Sequence, residues 1–340
     1  MILPSQFPPP PNPNHNVRLD DIQTPIADDL EQFERTFRDS MRTRVALLDR
    51  IMYYIVQRKG KQMRPMFVFF AARLCGNINQ ATYRSAALVE LLHTATLIHD
   101  DVVDDAYQRR GFFSVNALWK NKIAVLVGDY VLSRGLLLAI DNGDFRALQL
   151  LSRAVREMSE GELLQIERSK RLNLDENVYY DIIRQKTATL IAAACTVGFA
   201  STCNDPELEK KVWEMGEKIG IAFQIKDDLF DLGGSNYQTG KAEGVDIKEK
   251  KLTLPIIYAL QQATENDRQQ IIYTIKNDHD KPRKVAEVIK FVQQSGGIEY
   301  ADNAMQRFRQ EALDILAQFP KGVGRQGLEQ LIWFTTERKK

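Results

Sequence analysis

The chain has little of what would place it in several broad classes. It holds three cysteines, Cys75, Cys195 and Cys203, at spacings that suit no metal site, and the odd number argues against a disulfide framework. That scarcity points to a reducing, cytoplasmic setting. Net charge is nearly absent, with 46 lysines and arginines against 45 aspartates and glutamates. Bulk electrostatics therefore gives no reason to expect nucleic acid or an anionic membrane as partner. No basic region followed by an apolar run opens the chain, so no signal peptide is expected. The most apolar stretch, Ile123 to Ile140, is interrupted by Asp129 and Arg134. Two charges in so short a span disfavour a membrane-crossing helix, and the stretch reads as a buried core helix. Period-two alternation is almost missing, so no strand is expected.

What is present is helical pattern. Hydrophobic residues make up 44% of 340, enough for a sizeable core. Six of the twelve prolines fall within Pro4 to Pro13, so residues 1–27 read as an extended arm. From Asp28 onward apolar residues recur at three and four, as in Leu30, Phe33, Phe37, then Val45, Leu48, Met52, Ile55, and later Met215, Ile219, Ala222, Ile225. Breakers such as Lys59-Gly60, Asn142-Gly143 and Gly233-Gly234 separate these runs. No linker divides residues 28–340, which read as one all-α domain.

Two of the helices end in acid. Residues 88–106 read LVELLHTATLIHDDVVDDA. At 3.6 residues per turn, His93, Leu97, Asp100 and Asp104 share one face, with Asp101 about 100° away and Asp105 one turn beyond it. Like charges at that spacing destabilise a helix, more so near its C-terminus, and call for a cation. Oxygen-only ligands suit Mg²⁺ held through carboxylates, water and phosphate. Residues 220–232, GIAFQIKDDLFDL, repeat the arrangement with Gln224, Asp227, Asp228 and Asp231. One such string is easily a solvated helix end. Two of them, each closing an apolar helix, suggest a clamp for divalent ions on a departing pyrophosphate.

Basic groups flank both strings. They are Lys61 and Arg64, Arg109 and Arg110, Lys186 beside Thr187, Lys241, and Lys251. Arginine forks and mobile lysines suit phosphate, and there are more of them than one diphosphate needs. A pair such as Arg338-Lys339 reads instead as solvated surface. His99, beside the aspartates, suits packing or support of a ligand better than general-base work.

The strings GKQMRP (60–65), HDDVVDDAYQRRG (99–111), FQIKDDLFDL (223–232) and TGKAEGVDIKEKKLTLP (239–255), in that order, closely resemble the trans-isoprenyl diphosphate synthases of the polyprenyl synthetase family, in particular its long-chain all-trans members. The resemblance runs from about Asp28 to the C-terminus. It implies an all-helical isoprenoid synthase bundle around a deep cavity, usually as a homodimer. The activity it implies is an Mg²⁺-dependent prenyltransferase that joins isopentenyl diphosphate to an allylic diphosphate.

Carried over residue by residue, the resemblance makes Asp100, Asp104 and Asp227 the principal metal ligands, with Asp101, Asp228 and Asp231 in support. Lys61, Arg64, His93 and Arg110 match the isopentenyl diphosphate site. Arg109, Lys186, Thr187, Gln224, Lys241 and Lys251 match the allylic diphosphate site. Ala95 and Thr96 stand where the family sets product length. Their small size implies a medium-to-long product such as octaprenyl diphosphate, a quinone side-chain precursor whose release could involve a membrane surface. Lys250 and Ala242 depart from the usual glycine and proline of the last motif. The alternatives are a short-chain farnesyl or geranylgeranyl synthase, a class I terpene cyclase, and a non-catalytic synthase subunit.

Overall fold

The computed structural model describes residues 18–57, 60–109, 111–171, 175–233 and 244–338, with backbone only for Arg109, Lys170 and Arg171. In chain order the helices are α1 (Leu19–Gln23), α2 (Ala27–Ser40), α3 (Ala46–Val56), α4 (Met63–Ala72), α5 (Gln80–Val103), α6 (Val115–Asp141), α7 (Phe145–Arg171), α8 (Glu176–Ile183), α9 (Thr189–Ala200) and α10 (Pro206–Asp231). There follow α11 (Val245–Lys248), α12 (Leu254–Gln262), α13 (Glu265–Asn277), α14 (Pro282–Gln294), α15 (Gly297–Leu316) and α16 (Val323–Glu337). A π-helical turn, Arg184–Ala188, joins α8 to α9. The all-α expectation holds apart from one tight hairpin between α5 and α6, in which β1 (Gln108–Arg109) pairs antiparallel with β2 (Phe112–Phe113) around Gly111. Helical structure already begins at Leu19, and Ile22 and Ile26 lie in the core ahead of Asp28.

Two helices that are apolar all round form the centre, as their sequences require. In α4 every residue from Pro65 to Ala72 is buried, and α9 is buried from Thr189 to Phe199. They run parallel and very close: a Cβ on Gly198 would stand 2.1 Å from the Val68 carbonyl oxygen. α10 crosses α9 in the opposite direction, and a Cβ on Gly220 would stand 2.3 Å from the Ala188 Cα. Only glycine permits either approach. A second core lies under the end of α10, where Ile221, Ile225, Leu229 and Leu232 meet α12, α14 and α15.

Two expectations are corrected. The α4 and α9 ends that point the same way bring Cys75 to Cys203, which form a disulfide with a Cα–Cα distance of 5.8 Å. Cysteine parity does not speak to a single pair 128 residues apart, and the cysteine argument for a reducing compartment falls with it. The stretch read as a core helix is only half of one. α6 buries Ala124, Val127, Gly128, Val131 and Gly135, while Leu126, Leu137 and Ile140 are 60%, 47% and 49% exposed. Among the described residues it is the one helix long and apolar enough to cross a membrane. Periodicity reported that it is apolar, but not what covers its outer face.

Candidate active site

Helix geometry places both acidic strings at one end of the bundle. The Thr82 and Ser201 hydroxyls meet at 2.7 Å, setting the foot of α5 level with the foot of α9. From Thr82, α5 rises roughly 27 Å to Asp100 at 1.5 Å per residue. From Ser201, α9 rises roughly 20 Å to Ala188, and α10 gains roughly 10 Å more from Gly220 to Asp227. Asp100 and Asp227 therefore stand at similar height on two helices that both pack against α9.

The first string sits where α5 gives out. Asp104 caps the helix, its N–H on the Asp100 carbonyl at 2.8 Å, and Asp105 adopts a left-handed φ of 48°. Asp104 is exposed and Asp100 half-buried, whereas Asp101 is 5% exposed, enclosed beside α6. Its carbonyl accepts from Asn116 Nδ2 at 3.0 Å. The aspartates thus lie at the negative end of the helix dipole, where only cations relieve them. His99 turns away toward α6, its Nε2 3.4 Å from Asp129, in keeping with the packing role.

The second string is wired differently. Ile225, Leu229 and Leu232 point into the second core and fix the rotation of α10. Asp228 is 5% exposed, and both its oxygens are engaged: Tyr179 Oη donates to Oδ2 at 2.7 Å and Gln224 Nε2 to Oδ1 at 2.9 Å. Burial, then the charge of Asp246, holds its carboxyl well above the ordinary range. The two oxygens of Asp231 accept the Val245 and Asp246 N–H groups, each at 2.9 Å, tethering the chain that leads through α11 to Lys251. Burial, then the charge of Asp231, raises Asp246 to about 7. Asp227 faces outward and pairs with the Arg338 guanidinium.

That ion pair corrects the reading of Arg338 as solvated surface. Its side chain is 16% exposed and stacks 4.2 Å above the Phe223 ring. α16 runs antiparallel to α4, which returns the chain end to the mouth of the site. A basic pair read along the chain carries no trace of that long-range return.

Next to the second string a cavity of about 180 Å³ is lined by Lys186, Thr187, Gln224, Asp228 and Lys251, all singled out by sequence. Gln165, Ser169, Tyr179, Asp246 and Thr253 also line it and were not singled out; they look like ordinary helix or loop residues until the chain folds. Lys186 pairs with Glu162 on α7. Lys250 has φ +58°, the left-handed conformation that explains a usual glycine there. Lys61, Arg64, His93, Asp100 and Asp104 do not line this cavity. Lys61 Nζ lies 5.6 Å over Phe334, and Arg64 lies 3.8 Å from Glu90, one turn before His93 on α5. Arg110 and Lys241 lie outside the described residues, as does the Arg109 side chain. Ala95 is 2% exposed in a cluster with Leu91, Ile98 and Val127, while Thr96, on the Asp100 face, donates to the His93 carbonyl at 2.9 Å.

The donor set fits a hard divalent ion used with a phosphate ligand. Among the described residues no three His, Cys, Asp or Glu side chains converge into a cage. Mg²⁺ needs none, since it keeps water and takes one or two carboxylates beside substrate phosphate.

Known proteins share this architecture. A family model described as Polyprenyl synthetase matches residues 45–292. The chain is 34% identical to an all-trans-nonaprenyl-diphosphate synthase (geranyl-diphosphate specific) of Rhodobacter capsulatus, covering 94% of this chain and 97% of that one. It is 33% identical to the octaprenyl diphosphate synthase of Escherichia coli, covering 95% and 99%. A crystal structure of a Caulobacter crescentus polyprenyl synthase, complexed with calcium and isoprenyl diphosphate, superposes with a TM-score of 0.87 at 32% identity, over 96% of this chain and all of that one.

Proposed function

We propose that this chain, which belongs to the polyprenyl synthetase family and is a prenyltransferase, adds isopentenyl diphosphate repeatedly to an allylic diphosphate to give a long all-trans polyprenyl diphosphate, octaprenyl or near it. The carrying observation is that Asp100 and Asp227 stand at similar height on two helices packed against α9, and that the second string reaches through Asp228 into a cavity lined by Lys186 and Lys251. In this reading Asp100, Asp104 and Asp227 hold Mg²⁺, whose chemistry when bound is to neutralise the departing pyrophosphate. Asp101, Asp228 and Asp231 support them from behind. Lys186 and Lys251, with Arg109 and Lys241, seat the allylic diphosphate in the cavity that Thr187 and Gln224 also line. Lys61, Arg64, His93 and Arg110 hold isopentenyl diphosphate, so that its double bond attacks the allylic carbon from a fixed distance. Proton loss to the released pyrophosphate completes each cycle. The exposed apolar face of α6 is the surface that a second copy of the chain covers, giving a homodimer.

The test is incubation of the purified chain with isopentenyl diphosphate, Mg²⁺ and allylic primers of increasing length, followed by sizing of the products. Long chains are expected, formed only when isopentenyl diphosphate is added. Product without it would indicate a cyclase, farnesyl or geranylgeranyl diphosphate alone a short-chain synthase, and no product a non-catalytic subunit.

A further inference from the structure

Tyr179 was not among the residues that sequence or resemblance marked. It lies on α8 at the cavity wall, 4% exposed, with its hydroxyl already engaged by Asp228. Its phenol begins a directed series of hydrogen bonds. Tyr179 Oη donates to Asp228 Oδ2 at 2.7 Å, Gln224 Nε2 donates to Asp228 Oδ1 at 2.9 Å, and Thr187 Oγ1 donates to Gln224 Oε1 at 2.8 Å. Each step restricts the next. With one oxygen held by the phenol, the carboxylate turns its other oxygen to α10. The Gln224 amide then presents its NH₂ to Asp228 and its carbonyl to Thr187. A carbonyl only accepts, so the Thr187 hydroxyl donates, and only its lone pairs are left for the cavity.

We propose that Tyr179 is a positioning residue of the transfer reaction: through Asp228 and Gln224 it fixes Thr187 beside Lys186 as an acceptor, leaving donation to the diphosphate to Lys186 and Lys251. The inference rests on the reading of this cavity as the allylic diphosphate site. It gives Asp228 the task of orienting its neighbours, since using either oxygen on a metal would break the series. Thr187 then receives a donor, the Lys186 ammonium or a water, and does not donate to phosphate itself.

The experiment is a double-substitution cycle on the purified enzyme, using Tyr179→Phe and Thr187→Val singly and together, with an allylic primer and isopentenyl diphosphate varied separately. Tyr179→Phe is expected to lower kcat/KM for the primer about tenfold, the scale of losing one buried hydrogen bond. The KM for isopentenyl diphosphate should stay unchanged. In the Thr187→Val background the Tyr179 substitution should have little further effect, although the two residues do not touch, and Thr187→Ser should restore activity. Independent, multiplying losses would overturn the inference, as would a Tyr179→Phe enzyme with wild-type kinetics. If Tyr179→Phe does not fold, the cycle between Asp228→Asn and Thr187→Val decides by the same criterion. Lys251→Ala separates the two levels: an unchanged primer KM in that variant removes the allylic-site reading, whereas a raised KM with multiplying losses removes only the role of Tyr179.

Discussion

The two acidic strings are near copies in sequence and differ in what the fold does with them. At the end of α5, Asp100 and Asp104 are presented on a helix that stops beneath them, with Asp101 enclosed behind. At the end of α10, two of three carboxylates are already spent: Asp228 orients Gln224, and Asp231 holds the start of α11. Asp227 alone is turned outward, and it already has a cation in Arg338. In the proposed reading, the same five-residue pattern therefore supplies mostly ligands in one place and mostly struts in the other. What decides is how much of each helix end is packed, which periodicity does not report.

The comparison breaks most visibly if ligands and struts are removed in turn. Asp100→Ala or Asp227→Ala should lower kcat by roughly a thousandfold, the scale of losing a main charge stabiliser, with an unchanged circular dichroism spectrum. Near-normal turnover in either variant would refute the ligand assignment. Asp231→Ala should act on stability instead, costing about 1–3 kcal/mol through the loss of two hydrogen bonds at the start of α11, as read from urea unfolding. If it destroyed turnover without loss of stability, the strut assignment would be wrong.

Product length gives an intermediate effect. Thr96→Phe, on the Asp100 face, should shorten the product, whereas Ala95→Phe enters a packed cluster and should cost about 1–3 kcal/mol of stability by overpacking. Chromatography showing unchanged chain length with Thr96→Phe would remove that residue from the control of product length.

The smallest expected effect concerns pH. Asp228, Asp231 and Asp246 all have carboxyls raised in the folded chain, with burial the first cause in each. A folded pKa above the unfolded value means that the native state holds more protons between the two. Stability is then present at low pH and lost as pH rises, for Asp246 between 3.8 and about 7. Thermal melts of the metal-free protein should show this decline, and Asp246→Asn should flatten it. An identical pH slope in the variant would show that folding does not raise the Asp246 carboxyl.

Much of this was legible before any coordinates. The three-and-four spacing announced the helices, and the acidic strings stood out because clustered carboxylates are unfavourable on a helix without a cation. Lys186, Thr187, Gln224 and Lys251 do share one cavity. What stayed hidden depends on contacts between distant segments. Tyr179 gains its meaning from α10, Arg338 from the antiparallel return of α16, and Cys75 from the parallel partner α9. The outer face of α6 stayed hidden for another reason, because an apolar stripe looks the same whether the chain's own core or a second molecule covers it.

The most direct measurement of the central claim is pyrophosphate binding in the presence of Mn²⁺, by calorimetry, in Asp100→Ala, Asp227→Ala and the double variant. If both motifs hold ions on one diphosphate, each single variant loses most of the affinity and the double variant loses far less than the product of the two. Independent, multiplying losses, or wild-type binding in either single variant, would mean that the two strings do not serve a shared ligand.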